Sequence, residues 1–101
     1  VVEAHRDELA DLCREWGVRR LEVFGSAAGD SFGDSSDVDL LVVFDWTRPG
    51  SPLKRYFGFE DSVADLLGRD ADLVDPDVIR NRWFKVSVDQ TRKLLYAAEG
   101  D

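Results

Sequence analysis

An α/β domain built around one small sheet is the fold class this chain predicts, on three observations. Short β-branched runs alternate with amphipathic helical stretches, acidic residues collect at the ends of those runs, and 101 residues with 44% hydrophobic content suit a single core. No repeat or linker divides the elements, so one domain over residues 1–101 is expected, with no room for a second.

The first element is a helix from about Glu3 to Trp16, in which Leu9, Leu12, Cys13 and Trp16 recur at helical spacing. That spacing makes Cys13 a packing residue rather than a nucleophile, and a single cysteine excludes an internal disulfide. His5 reads as a surface residue. Arg20-Leu21-Glu22-Val23-Phe24 follows as a short strand running into Gly25-Ser26. Residues Gly29 to Ser36 are dense in Gly, Ser and Asp and should form a loop, after a helical turn that Ala27-Ala28 could open. Asp37 to Phe44 is rich in Leu and Val and reads as a buried strand, followed by a Pro/Gly loop through Pro52.

From Leu53 to Leu67, the residues Tyr56, Phe59, Val63, Leu66 and Leu67 form a helical stripe that should cover one sheet face. Asp70 to Val74 is a short apolar run bounded by Gly68 and by Asp75-Pro76, hence another strand. Asp75 then caps a short helix with Pro76 at its first position. Phe84, Val88, Thr91 and Leu95 give the stripe of a last helix, with Trp83 and Tyr96 off that line. Phe84 is assigned to the core, and part of the remaining aromatic surface to a partner.

The chemistry is carried by Gly25-Ser26 followed after ten residues by Asp37-Val38-Asp39. Strand side chains alternate, so Asp37 and Asp39 project to one face, roughly 6.5 Å apart along the strand, while Val38 packs on the other. Two carboxylates at about 5 Å repel by roughly 3 kcal/mol at an effective dielectric near 20, a cost that a divalent cation reverses. Hard oxygen ligands without histidine or thiolate favour Mg²⁺ or Mn²⁺, completed by water and substrate phosphates. Glycine lets backbone approach a phosphate closely and Ser26 adds a hydroxyl, so the ordered combination points to nucleotidyl transfer. Taken singly, Gly-Ser is an ordinary turn, and the acids could be a solvated strand end. Asp72 sits in the short strand that could pair beside the first acid strand and aim it into the same site, although an acid there equally serves as an edge charge against aggregation.

The stretch GSAAGDSFGDSSDVDLLVVF resembles the GS-x10-D-x-D signature of polymerase-beta-type nucleotidyltransferases, and in particular the minimal nucleotidyltransferase (MNT) proteins. The likeness extends to Leu67–Val74, where Asp72 matches the family's third acid, and to Arg80–Ala98, which is similar to the C-terminal helix of MNT proteins. The resemblance implies a polymerase-beta-like fold with a mixed sheet of parallel and antiparallel pairs. It implies two Mg²⁺ ions and ATP as substrate, with Asp37, Asp39 and Asp72 as catalytic and metal-holding residues and Gly25 and Ser26 binding the nucleotide's terminal phosphates. Asp37 and Asp39 would hold the ion at the phosphates, and Asp72 would serve the nucleophile side. One departure is visible: many relatives carry an arginine and then a glycine after Gly-Ser, where this chain has Ala27-Ala28-Gly29-Asp30.

MNT antitoxins accompany a HEPN-type RNase toxin, so the resemblance further implies AMP transfer to a toxin tyrosine within a hetero-oligomer. Two other readings stand beside it: an antitoxin that neutralises by occlusion alone, and transfer to a small molecule, whose relatives usually need an added domain. Thirteen basic against twenty-one acidic residues give a net charge of −8, which opposes direct nucleic-acid binding and suits a basic protein partner. The longest apolar run, Leu40 to Phe44, is far too short for a membrane span, and no signal-peptide pattern opens the chain, so a cytoplasmic protein is expected.

Overall fold

The computed structural model describes residues 3–25, 37–47, 49–76 and 79–98. A single 3-10 turn, Glu3–His5, leads into helix α1, Arg6–Trp16, followed by strands β1, Val18–Phe24, and β2, Val38–Phe44. Helix α2, Pro52–Leu67, precedes β3, Ala71–Val74, and the chain continues through α3, Arg82–Thr91, to β4, Lys93–Ala97. Side-chain caps set two of the helix starts. Ser51 Oγ accepts the Lys54 N–H ahead of Pro52, and Asn81 Oδ1 accepts the Phe84 N–H at 3.1 Å.

The four strands form one mixed sheet in the order β3-β2-β1-β4, as the resemblance implies. β1 is antiparallel to both β2 and β4, while β2 and β3 run parallel and are joined through α2. Parallel neighbours need such a crossover, which is why a sixteen-residue helix separates two short acid-bearing strands.

Alternation along the strands divides the side chains between two unlike faces. Leu21 and Val23 of β1 and Val38, Leu40 and Val42 of β2 pack against Leu9 and Cys13 of α1 and Phe59 and Val63 of α2. This is the main core, and Cys13 is fully buried within it as expected. Burial pushes the Cys13 thiol up to about 12, against a smaller opposing pull from Arg14. On the opposite face Phe24 and Leu41 are buried with Val88 of α3, and Val74 and Ile79 pack at the margin. Among the described residues that second face is only partly roofed. Among the described residues no helix is long and apolar enough to cross a membrane.

The structure corrects the sequence reading of the last element. A helix carrying Phe84, Val88, Thr91 and Leu95 on one stripe is expected, but α3 stops at Thr91 and Arg92 is extended, with φ −63° and ψ 137°. Leu95 and Tyr96 belong to β4, where Tyr96 pairs with Leu21 across an antiparallel ladder. The unpaired edge of β1 supplies backbone partners that a longer helix could not use, and Leu95 is buried equally well from a strand. Phe84 is 41% exposed rather than a core residue, touching Phe24 edge-on with ring centroids 5.8 Å apart. The short helix expected after Asp75-Pro76 falls on residues 77 and 78, outside the described residues.

Candidate active site

The site is built at the start of β2. Asp39 is the register partner of Phe24, the last residue of β1, and also of Asp72 on β3. Three strands therefore meet at one level. Alternation sends Asp39 and Asp72 to the partly roofed face, because their neighbours Val38, Leu40, Ala71 and Leu73 belong to the core on the other side. Asp37 precedes β2 by one residue and is exposed; Asp72 is also exposed, while Asp39 is half-buried.

The electrostatics agree with that placement. The Asp39 carboxyl is held above its ordinary value, first by burial and then by the negative charges of Asp72 and Asp37. Register pairs Asp39 with Asp72, and the charges of both Asp72 and Asp37 are felt at the Asp39 carboxyl. Among the described residues, no group of three or more Asp, Glu, His or Cys side chains is gathered as a ready-made metal cage. The donor chemistry suits Mg²⁺ all the same: hard carboxylate oxygens, with repulsion that a dication would remove.

Gly25 closes the site from the β1 side. Its φ is +71°, and a Cβ built there would lie 3.0 Å from Asp39 Oδ2, so a side chain would press on the central carboxylate. The Gly25 N–H donates to Thr91 Oγ1 at 2.9 Å, and the Thr91 hydroxyl donates to the Ser87 carbonyl at 3.1 Å. The end of α3 thereby fixes the backbone at which the predicted phosphate turn begins. Ser26 itself, with the whole segment 26–36, lies outside the described residues. A hollow of about 390 Å³ between Trp16, Gly50 and Lys54 holds none of these acids and lies away from the site.

A second group on the same sheet face escaped the sequence reading. Glu22, 4% exposed, takes a two-pronged contact from Arg92, with Nε to Oε2 at 2.7 Å and Nη2 to Oε1 at 2.8 Å. Arg20 Nε adds a third contact at 2.7 Å, and Asp89 engages the remaining Arg92 nitrogen at 2.8 Å. The hydrogen bond from Arg92 leads in pulling Glu22 down to about 2, and the Arg92 guanidinium is correspondingly raised. A buried charge so satisfied clamps the end of α3 onto β1. The available signal was a glutamate inside the apolar run Leu21-Glu22-Val23-Phe24.

Known proteins resemble this chain in sequence and fold. The sequence profile of the nucleotidyltransferase domain matches residues 6–96. A Methanocaldococcus jannaschii protein provisionally named a protein adenylyltransferase is 34% identical over 79 residues, 78% of either chain. The protein adenylyltransferase MntA of Thermococcus cleftensis is 35% identical over 74 residues, covering 73% of this chain and 69% of its own. A solved structure provisionally described as a minimal nucleotidyltransferase has a TM-score of 0.72 at 28% identity, over 91% of this chain and 90% of that one. A chain of the Shewanella oneidensis complex between a tri-AMPylated HEPN toxin and its MNT antitoxin has the same fold, with a TM-score of 0.63 at 18% identity. That match covers 98% of this chain and 75% of the other. With a profile match running from α1 into β4, the chain belongs to the nucleotidyltransferase domain family.

Proposed function

We propose that this protein transfers AMP from ATP to a tyrosine hydroxyl of a HEPN-type RNase toxin and acts as the antitoxin of that pair. The observation that carries the reading is the level formed by Gly25, Asp39 and Asp72, in which two carboxylates in register stand beside a glycine that leaves room for phosphate. The acceptor class is supported by the relatives, two of them named protein adenylyltransferases and one solved beside an AMPylated HEPN toxin.

Each residue has a stated task. Asp37 and Asp39 would hold Mg²⁺ against the nucleotide phosphates, and Asp72 a second ion on the acceptor side. The ions, when bound, supply charge neutralisation to the phosphates. Gly25 and Ser26 receive the terminal phosphates, the first through its missing Cβ and the second through its hydroxyl. Asp72, exposed on the outer strand, takes the proton of the acceptor hydroxyl as its oxygen bonds to the α-phosphorus. The bond from that phosphorus to the bridging oxygen breaks, and pyrophosphate leaves. A cytoplasmic setting follows from the same reading, since both ATP and an RNase target are found there.

A second reading, neutralisation by occlusion alone, is favoured by the absence of an arginine in Ala27-Ala28-Gly29-Asp30 and of a preformed cage among the described acids. Mass spectrometry of a HEPN-type protein from the same genome, after incubation with this chain, Mg²⁺ and ATP, decides between them. A gain of one or more AMP units, abolished by Asp37→Asn/Asp39→Asn, is the expected result. An unchanged mass with protection retained in the double variant would establish occlusion instead.

A further inference from the structure

We propose that the outward face of α3 is the docking surface for the protein acceptor, and that the acceptor meets it with an acidic patch around an apolar socket. The inference rests on the protein-acceptor reading above and adds to it the surface and its chemistry.

The first observation is charge. Residues 80–98 hold Arg80, Arg82, Lys85, Arg92 and Lys93 against Asp89 alone, so this stretch is +4 in a chain whose total is −8. Arg92 and Asp89 are occupied with Glu22 and with each other. Arg80, Arg82, Lys85 and Lys93 are exposed, and among the described residues none of the four enters an ion pair. The acidic character read from overall composition is thus reversed locally, and the partner this surface fits is acidic rather than basic.

The second observation is apolar exposure on the same helix. The inner side of α3 is accounted for by Val88, which is 1% exposed, and by Thr91 bound to Gly25. Trp83 and Val86, one turn apart, are 79% and 46% exposed, with Arg82 and Lys85 between and beside them. A bare tryptophan flanked by arginine and lysine has the composition of an interface hot spot, in which an aromatic anchor fills a socket and rim charges steer the approach.

Position supplies the third. The inner side of this helix touches Phe24 and holds Gly25, so a partner seated on the outer side stands about one helix diameter, ~10 Å, from the acids. An acceptor segment can reach around that thickness. The exposed Trp46, Leu53 and Phe57 form a poorer candidate, because Trp46 already stacks on Phe44 and Arg55.

The test is a comparison of acceptor KM and ATP affinity. Arg82→Glu/Lys85→Glu and, separately, Trp83→Ala are assayed for AMP transfer to the HEPN-type protein, for direct binding to it, and for MgATP affinity. The charge reversal is expected to raise the acceptor KM more than tenfold and Trp83→Ala about fivefold or more, with MgATP affinity and far-UV circular dichroism unchanged. Rising salt should weaken binding of the unaltered chain. Wild-type KM in both variants overturns the proposal, as does binding of poly(U) RNA that the variants lose while their acceptor KM stays constant. Should the unaltered chain bind the HEPN-type protein without modifying it, and the variants lose that binding, the docking surface stands and adenylylation falls. A chain that neither binds nor modifies the protein removes both.

Discussion

Gly25→Ala and Gly68→Ala form a matched pair that isolates what the site asks of its glycine. Both residues are left-handed, at φ +71° and +70°, but a Cβ at Gly25 meets Asp39 Oδ2 at 3.0 Å while one at Gly68 meets nothing within 4 Å. Gly68 merely ends α2, its N–H returning to the Ala64 carbonyl. Alanine in this backbone region costs about 1–2 kcal/mol in either place. For a domain of this size each kcal/mol lowers Tm by about 4–8 °C, so thermal melts should place the two variants close together. Their chemistry should then separate. The Asp39 carboxylate is the flexible end of a side chain and can yield by a few tenths of an ångström, which adds little to the loss of stability. The same yielding shifts the central carboxylate of the proposed site, and misplacement on that scale should lower AMP transfer by about tenfold or more in Gly25→Ala. Gly68→Ala should transfer at the wild-type rate below its melting temperature. Equal activity in the two variants, at a temperature where both are folded, would refute the assignment of Gly25 to the nucleotide site.

Other expectations follow from the acids and the core. Asp39→Asn should abolish transfer yet raise the metal-free Tm, by less than about 1 kcal/mol in stability, because it removes a charge that burial, Asp72 and Asp37 all disfavour; a lower Tm would contradict the repulsive cluster. Asp72→Asn should also stop transfer while leaving MgATP binding largely intact, which equilibrium dialysis can check. Glu22 stabilises the fold as its charged form: with a carboxyl lowered from 4.5 to about 2, its contribution is complete above pH 4.5 and is lost as pH falls through 2. That contribution is about 3 kcal/mol at most, reduced by solvent at the half-exposed Arg20, so Glu22→Gln should flatten the acid limb of a urea-midpoint titration. Cys13 should resist thiol reagents at pH 8 until the chain unfolds, because the native thiol is both buried and protonated; rapid native labelling would contradict the packing of α1.

Much of this arrangement is legible in the residues because periodicity reports local structure directly. Val38-Asp39-Leu40 alternates, and the observed faces follow that alternation without exception along β2 up to Phe44. The stripes of α1 and α2 are equally plain, since each buries one side against a single sheet face. What stays hidden depends on partners distant in sequence. Leu95 fits a helical stripe at spacing four from Thr91 and fits a strand as well, and the free edge of β1, more than seventy residues earlier, decides between them. Glu22 and Arg92 lie 70 residues apart, so their contact leaves no periodic trace. The strand register sets Asp72 beside Asp39, a pairing for which the sequence of β3 gives no cue of its own, since a lone acid in a four-residue run supports an edge charge equally.

The position of Asp72 on β3 has a thermal consequence. β3 is four residues long and lies outermost, pairing among the described strands with β2, and the Tyr56 hydroxyl, donating to the Leu73 carbonyl at 3.2 Å, ties it to α2. Margins of this kind open by local fluctuation at far less cost than the interior strands do. Warming should therefore silence the enzyme while its circular dichroism still reads as native, and amide exchange at Leu73 should outrun that at Leu41. Such a protein would lose its chemistry first and its shape only later.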